Sequence, residues 1–139
     1  MRWTHTDAKT MVERSGGEFW EVPYIEDTEI CKGDNGDYHL VYSGFKLITY
    51  HPDNTFTLRT KGWRTDIVKS RLSEYGPCDV FQRDNEWYLY NAEEPVKFAE
   101  DMVVDSFGVP TDEWLTKKID EEFDQTHITV DTHIYKMYL

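Results

Sequence analysis

The residue pattern predicts an α+β fold: an antiparallel sheet of about five or six strands, one central packed helix, and two acidic helices toward the C-terminal end. Three observations point there. Polar and apolar residues alternate through Tyr38–Ser43, Phe45–Tyr50 and Thr55–Thr60. A run with a defined start follows at Thr65 and repeats its apolar residues at helical spacing. After Asn91 the composition turns acidic. A chain of 139 residues is read as one domain, with a hairpin-helix-hairpin unit over 45–90 and an acidic helical extension with a final strand over 92–139.

The elements are justified in order. A short helix is expected around Ala8, Met11 and Val12, ended by Gly16-Gly17. EFWEVPYI (18–25) reads as a strand with Trp20, Val22 and Tyr24 on one face. Pro23 lacks an N–H for the ladder, which places that strand at an edge. GDNGD (33–37) is a turn sequence. It lacks the ligand spacing of a calcium loop, since Gly36 falls on a ligand position and no glutamate closes it. His51-Pro52-Asp53-Asn54 is a hairpin-length turn between the second and third alternating runs. There Phe56 and Leu58 face one side, and Thr55, Thr57 and Arg59 the other, as in a sheet with one solvated face.

Thr65 is the expected N-cap of the central helix, and Asp66 complements the positive end of its dipole. Val68, Leu72 and Tyr75 form the apolar stripe, and Gly76-Pro77 stops the helix. Cys78–Gln82 and Glu86–Asn91 form a second hairpin, with Trp87 and Leu89 on one side. Phe98, Ala99, Met102, Val103 and Phe107 then suggest a helix ended by Gly108 and Pro110. A second helix is capped by Thr111 and buries Leu115, Ile119 and Phe123. HITVDTHIY (127–135) alternates as a final strand.

Charge and motifs then bound the function. A net charge of −12 disfavours general nucleic-acid binding, because phosphates are repelled over most of the surface. No run of 18–20 apolar residues spans a membrane, and the first residues lack the apolar core of a secretory signal. Cys31 and Cys78 lie far apart, as free thiols in a reducing cytoplasm do; a single disulfide stays open. No nucleophile elbow, phosphate loop, dinucleotide fingerprint or zinc-protease motif is present, so the reading is non-enzymatic.

Three groups carry polar chemistry. Arg59, Lys61, Arg64, Lys69 and Arg71 fall within thirteen residues, opposed only by Asp66. With Trp63 to stack a base and the helix start to assist, they suit a small ligand or nucleotide. Against one patch, Lys69 and Arg71 diverge by roughly 160° on a helix. His127, Asp131 and His133 share a strand face, yet the two histidines stand roughly 20 Å apart, too far for one ion. No metal site and no cofactor is read.

The third group is acidic: from Asp84 to Asp124 there are thirteen acidic residues against three basic ones. Glu100, Asp101, Asp105, Asp112, Glu113, Asp120, Glu121, Glu122 and Asp124 make a face for docking a basic protein, with a solvated helix surface as the plain alternative.

LITYHPDNTFTLRTKGWRT…VKSRL…VFQRDNEWYL (Leu47 to Leu89) resembles a group of small proteins of unassigned function encoded by phages and prophages. Many members carry asparagine where Ser73 stands. The resemblance covers about a third of the chain and transfers no site residues. It implies a viral accessory protein in the host cytoplasm. Together with the acidic surface it points to a host macromolecule as partner, with inhibition of a defence component as one such role. A basic or nucleic-acid-binding host protein suits the carboxylates, and self-association stays open. The rival reading is the small-ligand or nucleotide site at 59–71; a virion component is a third.

Overall fold

The computed structural model describes residues 2–90 and 94–126, with side chains as far as Glu121. The chain is α+β. Strands β1 (Phe19–Glu21), β2 (Thr28–Lys32), β3 (Tyr38–Tyr42), β4 (Phe45–Tyr50), β5 (Phe56–Leu58) and β9 (Met102–Val104) form an antiparallel sheet in the order β1-β2-β3-β4-β5-β9. A second antiparallel sheet holds β6 (Val80–Arg83), β7 (Glu86–Leu89) and β8 (Val96–Lys97). The helices are α1 (His5–Ser15), α2 (Asp66–Tyr75) and α3 (Asp112–Thr126). No helix among the described residues is long and apolar enough to cross a membrane.

Local chemistry sets the helix ends. Thr4 and Asp7 form a reciprocal capping box at α1, and Gly16 closes it at φ 77°. Thr65 caps α2, its hydroxyl accepting from the Val68 amide at 3.2 Å. Gly76 ends α2 for a different reason, since its φ is −93°. A Cβ there would stand 2.4 Å from the Leu72 carbonyl oxygen, so only glycine fits. At α3 the Trp114 amide donates to the Thr111 hydroxyl at 3.3 Å.

The sheet register builds the core. Ile30, Leu40, Ile48, Leu58 and Met102 are neighbours across five strands, and all are sealed from water. Helix α1 lies against β1–β3 and α2 against β4 and β6, covering this face. Between Leu40 and Val41 the pairing slips, which leaves Leu47 unpaired in β4.

Several expectations are corrected. Residues 98–107 are not a helix, so among the described residues one C-terminal helix stands where two were expected. Met102 and Val104 pair with Leu58 and Phe56, and both are buried at a two-residue period. Asp101, at φ 62°, breaks any helix before them, and the Val103-Val104 pair favours a strand. The sheet gains a strand that way. It gains another in β2, which pairs in full with β3.

Strand β1 is an edge, but Tyr24 lies beyond it at φ 64° and is fully exposed. Ile119, expected in the buried stripe of α3, is 37% exposed. The expected solvated sheet face is closed: His39 is 9%, Thr49 2% and Thr57 6% exposed. The expected strand at 127–135, with His127, Asp131 and His133, lies outside the described residues.

Candidate functional site

The cationic cluster divides into two parts. Arg59 turns across the sheet, donating from Nε to Asp101 Oδ1 at 2.8 Å and from a terminal nitrogen to Thr49 Oγ1 at 2.8 Å. The Arg64 guanidinium sits over Phe98 at 4.8 Å and Trp87 at 5.2 Å, and meets Glu100 at 3.6 Å. Lys69 pairs with Asp66 at 3.4 Å and approaches Trp87. These three cations are spent inside the chain, two of them on carboxylates from the segment after Asn91.

Trp63 belongs to a different place, with Lys61 two residues before it in the chain and Arg71 against its Tyr42 wall. A groove of about 500 Å³ runs between the end of the β3–β4 hairpin, the 60–65 loop and the start of α2. Tyr42, Phe45, Trp63 and Ile67 line its sides, with buried Leu47 and Val68 beneath. Trp63 is 55%, Ile67 48% and Phe45 36% exposed, and the Phe45 and Trp63 rings stand 5.5 Å apart. The slip in the β3–β4 pairing gives Leu47 to this groove. Arg71 lies over Tyr42 at 5.8 Å and is held by a 3.0 Å bond from Nε to Thr28 Oγ1. Its two terminal nitrogens have no partner among the described residues. Lys61 is exposed beside the Gly62-Trp63 turn, with no carboxylate within 4 Å among the described residues.

The acidic face divides as well. Glu100 accepts from the Thr60 amide at 2.9 Å and from the Thr60 hydroxyl. Asp101 holds Arg59. Asp105 closes its own turn, accepting from the Phe107 and Val109 amides at 2.9 and 3.0 Å. These three are built into the fold. Asp112 and Glu113 in the first turn of α3, and Asp120 and Glu121 two turns later, face water. At Glu122 and Asp124 only the helical backbone is described.

Sequence reasoning missed a polar layer on the sheet's second face. Asp37 Oδ1 lies 2.9 Å from His51 Nδ1, and His51 Nε2 lies 2.7 Å from Thr57 Oγ1. Beside it, His39 Nδ1 meets Thr49 Oγ1 at 2.9 Å, and Arg59 donates to that same oxygen. The first array has the order of a carboxylate–imidazole–hydroxyl relay. The Thr57 hydroxyl is closed to a substrate, however, so its geometry serves the sheet. Burial holds the His39 imidazole below its usual pKa, and the Lys46 and Arg59 charges add to that.

Alternation in β3, β4 and β5 was the available signal for this layer; what hid it was the assumption that polar residues on alternate positions face water. No group of three or more His, Cys, Asp or Glu among the described residues is arranged to hold a metal ion. Both cysteines are free, and burial raises the Cys78 thiol pKa to about 12, which makes it a poor nucleophile. No family model, no curated protein and no solved structure matches the chain.

Proposed function

We propose that this chain is a non-enzymatic binding protein that docks a basic host protein, such as a nucleic-acid-binding one, through the outward carboxylates of α3. One observation carries the reading. The acidic segment spends Glu100 and Asp101 on Arg64 and Arg59, while Asp112, Glu113, Asp120 and Glu121 stay in water. A predominantly acidic helix, with Lys117 and Lys118 between its carboxylate pairs, on a chain of net charge −12 steers a cationic partner into contact and disfavours phosphate backbones. The resemblance of Leu47–Leu89 to phage and prophage proteins supports a viral accessory role in the host cytoplasm, with inhibition of a defence component in view. The free thiols accord with a reducing compartment.

The nucleotide reading has less support, because Arg59 and Arg64 point at carboxylates rather than at a shared cavity with Lys61 and Arg71. The test is a pull-down from host lysate at low and moderate salt. Its control is the variant Asp112→Asn, Glu113→Gln, Asp120→Asn, Glu121→Gln. A specific partner is expected at low salt, reduced by salt and lost with the variant. Equal recovery by both proteins, or no partner at either salt, would overturn the proposal.

A further inference from the structure

We infer that the groove at the start of α2 is a docking site for an acidic peptide segment of a partner protein, one that places a bulky apolar side chain beside a carboxylate. This site is separate from α3 and does not depend on it. The apolar half of the inference rests on Phe45, Trp63 and Ile67, three large side chains exposed together on one groove. Clustered aromatic exposure of this kind marks contact surfaces. Leu47 and Val68 give the groove a closed apolar floor, suited to one inserted side chain.

The acidic half rests on charge. The protein carries 27 Asp and Glu against 15 Lys and Arg, yet among the described residues no carboxylate lines this groove. Asp66, next to its wall, faces Lys69. Against the Tyr42 wall stands Arg71, held by Thr28, with no partner for its two terminal nitrogens among the described residues. That is the arrangement a guanidinium needs to take a carboxylate through two parallel bonds. Lys61 is exposed two residues before Trp63 in the same loop. Charges beyond roughly 8 Å are screened at physiological salt, so most of the −12 charge weighs little here; Asp27 and Glu29, the chain neighbours of Thr28, line the adjoining pocket and are the carboxylates that oppose Arg71.

The experiment is a titration of the isotope-labelled protein followed by amide chemical shifts. The probe is acetyl-Gly-Phe-Asp-Glu-Leu-Gly-amide, compared with the same peptide carrying Asn-Gln for Asp-Glu. Shifts are expected at Tyr42–Leu47, Thr60–Val68 and Arg71, and the uncharged peptide should bind at least fivefold more weakly. Arg71→Gln should erase that preference, with its own spectrum reporting whether the fold is kept. Ile67→Glu changes only an exposed helix position, and should weaken the acidic peptide at least tenfold. Equal affinity for the two peptides, shifts centred on α3 instead, or an unchanged preference in Arg71→Gln or unchanged affinity in Ile67→Glu would overturn the inference.

Discussion

The two faces of the six-stranded sheet are closed by opposite means. On one, Ile30, Leu40, Ile48, Leu58 and Met102 make a continuous apolar row beneath α1 and α2. On the other, Cys31, His39, Thr49, Thr57 and Val103 make the matching row, and polar side chains bond to one another. Solvent is excluded from the centre of both. The first face gains from area removed from water, the second from hydrogen bonds among the polar side chains it hides. The difference teaches that a period of two reports which residues share a face, not which face is wet.

The largest test of that contrast compares adjacent residues of β4. Ile48→Ala leaves a cavity on the apolar face and should cost about 2–5 kcal/mol in urea unfolding. Thr49→Val keeps the volume but removes the acceptor of Arg59 and the partner of His39. It should cost about 1–3 kcal/mol, the penalty for stranded buried polar groups. A neutral Thr49→Val would mean that the second face is merely covered and its bonds idle.

Gly33→Ala attacks the polar layer from outside. A Cβ at Gly33 would stand 2.3 Å from His39 Nε2, so the ring must move off Thr49. The expected loss is about 1–3 kcal/mol, an overpacking cost. In a His39→Ala background the same substitution should be nearly neutral, because the two residues share one space. Additive losses in the double-mutant cycle would show that Gly33 is required for its own backbone.

Acid should weaken the polar face through His39. Its folded pKa lies below the ordinary value because of burial and of the nearby Lys46 and Arg59 charges, with Asp37 opposing and His51 adding. The unfolded chain therefore takes up the proton first. His39 leaves stability intact above its unfolded pKa of about 6.5, and stability falls as pH drops through that value toward the lower folded one. Urea midpoints at pH 7.5 and 5.5 should separate more in the wild type than in His39→Gln. Equal separations would place the acid sensitivity elsewhere.

Much of the fold was readable from residues alone, and the failures share a cause. Thr65, Gly16 and Thr111 announced helix ends because caps are local chemistry. The second hairpin was legible in the alternation of Trp87 and Leu89. Strand β9 was not, because Phe98, Met102 and Val103 also fit a helical stripe and only the partners Phe56 and Leu58 decide between them. The groove was half legible. Trp63, Lys61 and Arg71 stood out by type, whereas Phe45, Leu47 and Ile67 reach them only through the β3–β4 slip and the placing of α2. Arg59 and Arg64 carried the same sequence signal as Arg71, yet carboxylates some 40 residues further on claim them.

That last distinction yields the smallest expected effect. Arg64 stacks on Trp87 of β7 and on Phe98, while its partner Glu100 is fixed by Thr60. Arg64 thus ties the 60–65 loop to the second sheet, as Arg59 ties β5 to Asp101. The pair with Glu100 is partly exposed, which limits it, so most of the worth lies in the two ring contacts. Arg64→Ala should cost about 0.5–1 kcal/mol, and Arg64→Lys should recover only part, because an ammonium lacks the planar face that a guanidinium offers to an aromatic ring. Neither change should alter peptide binding in the groove by more than twofold. A tenfold loss there would return Arg64 to the binding surface and join the two halves of the cationic cluster into one.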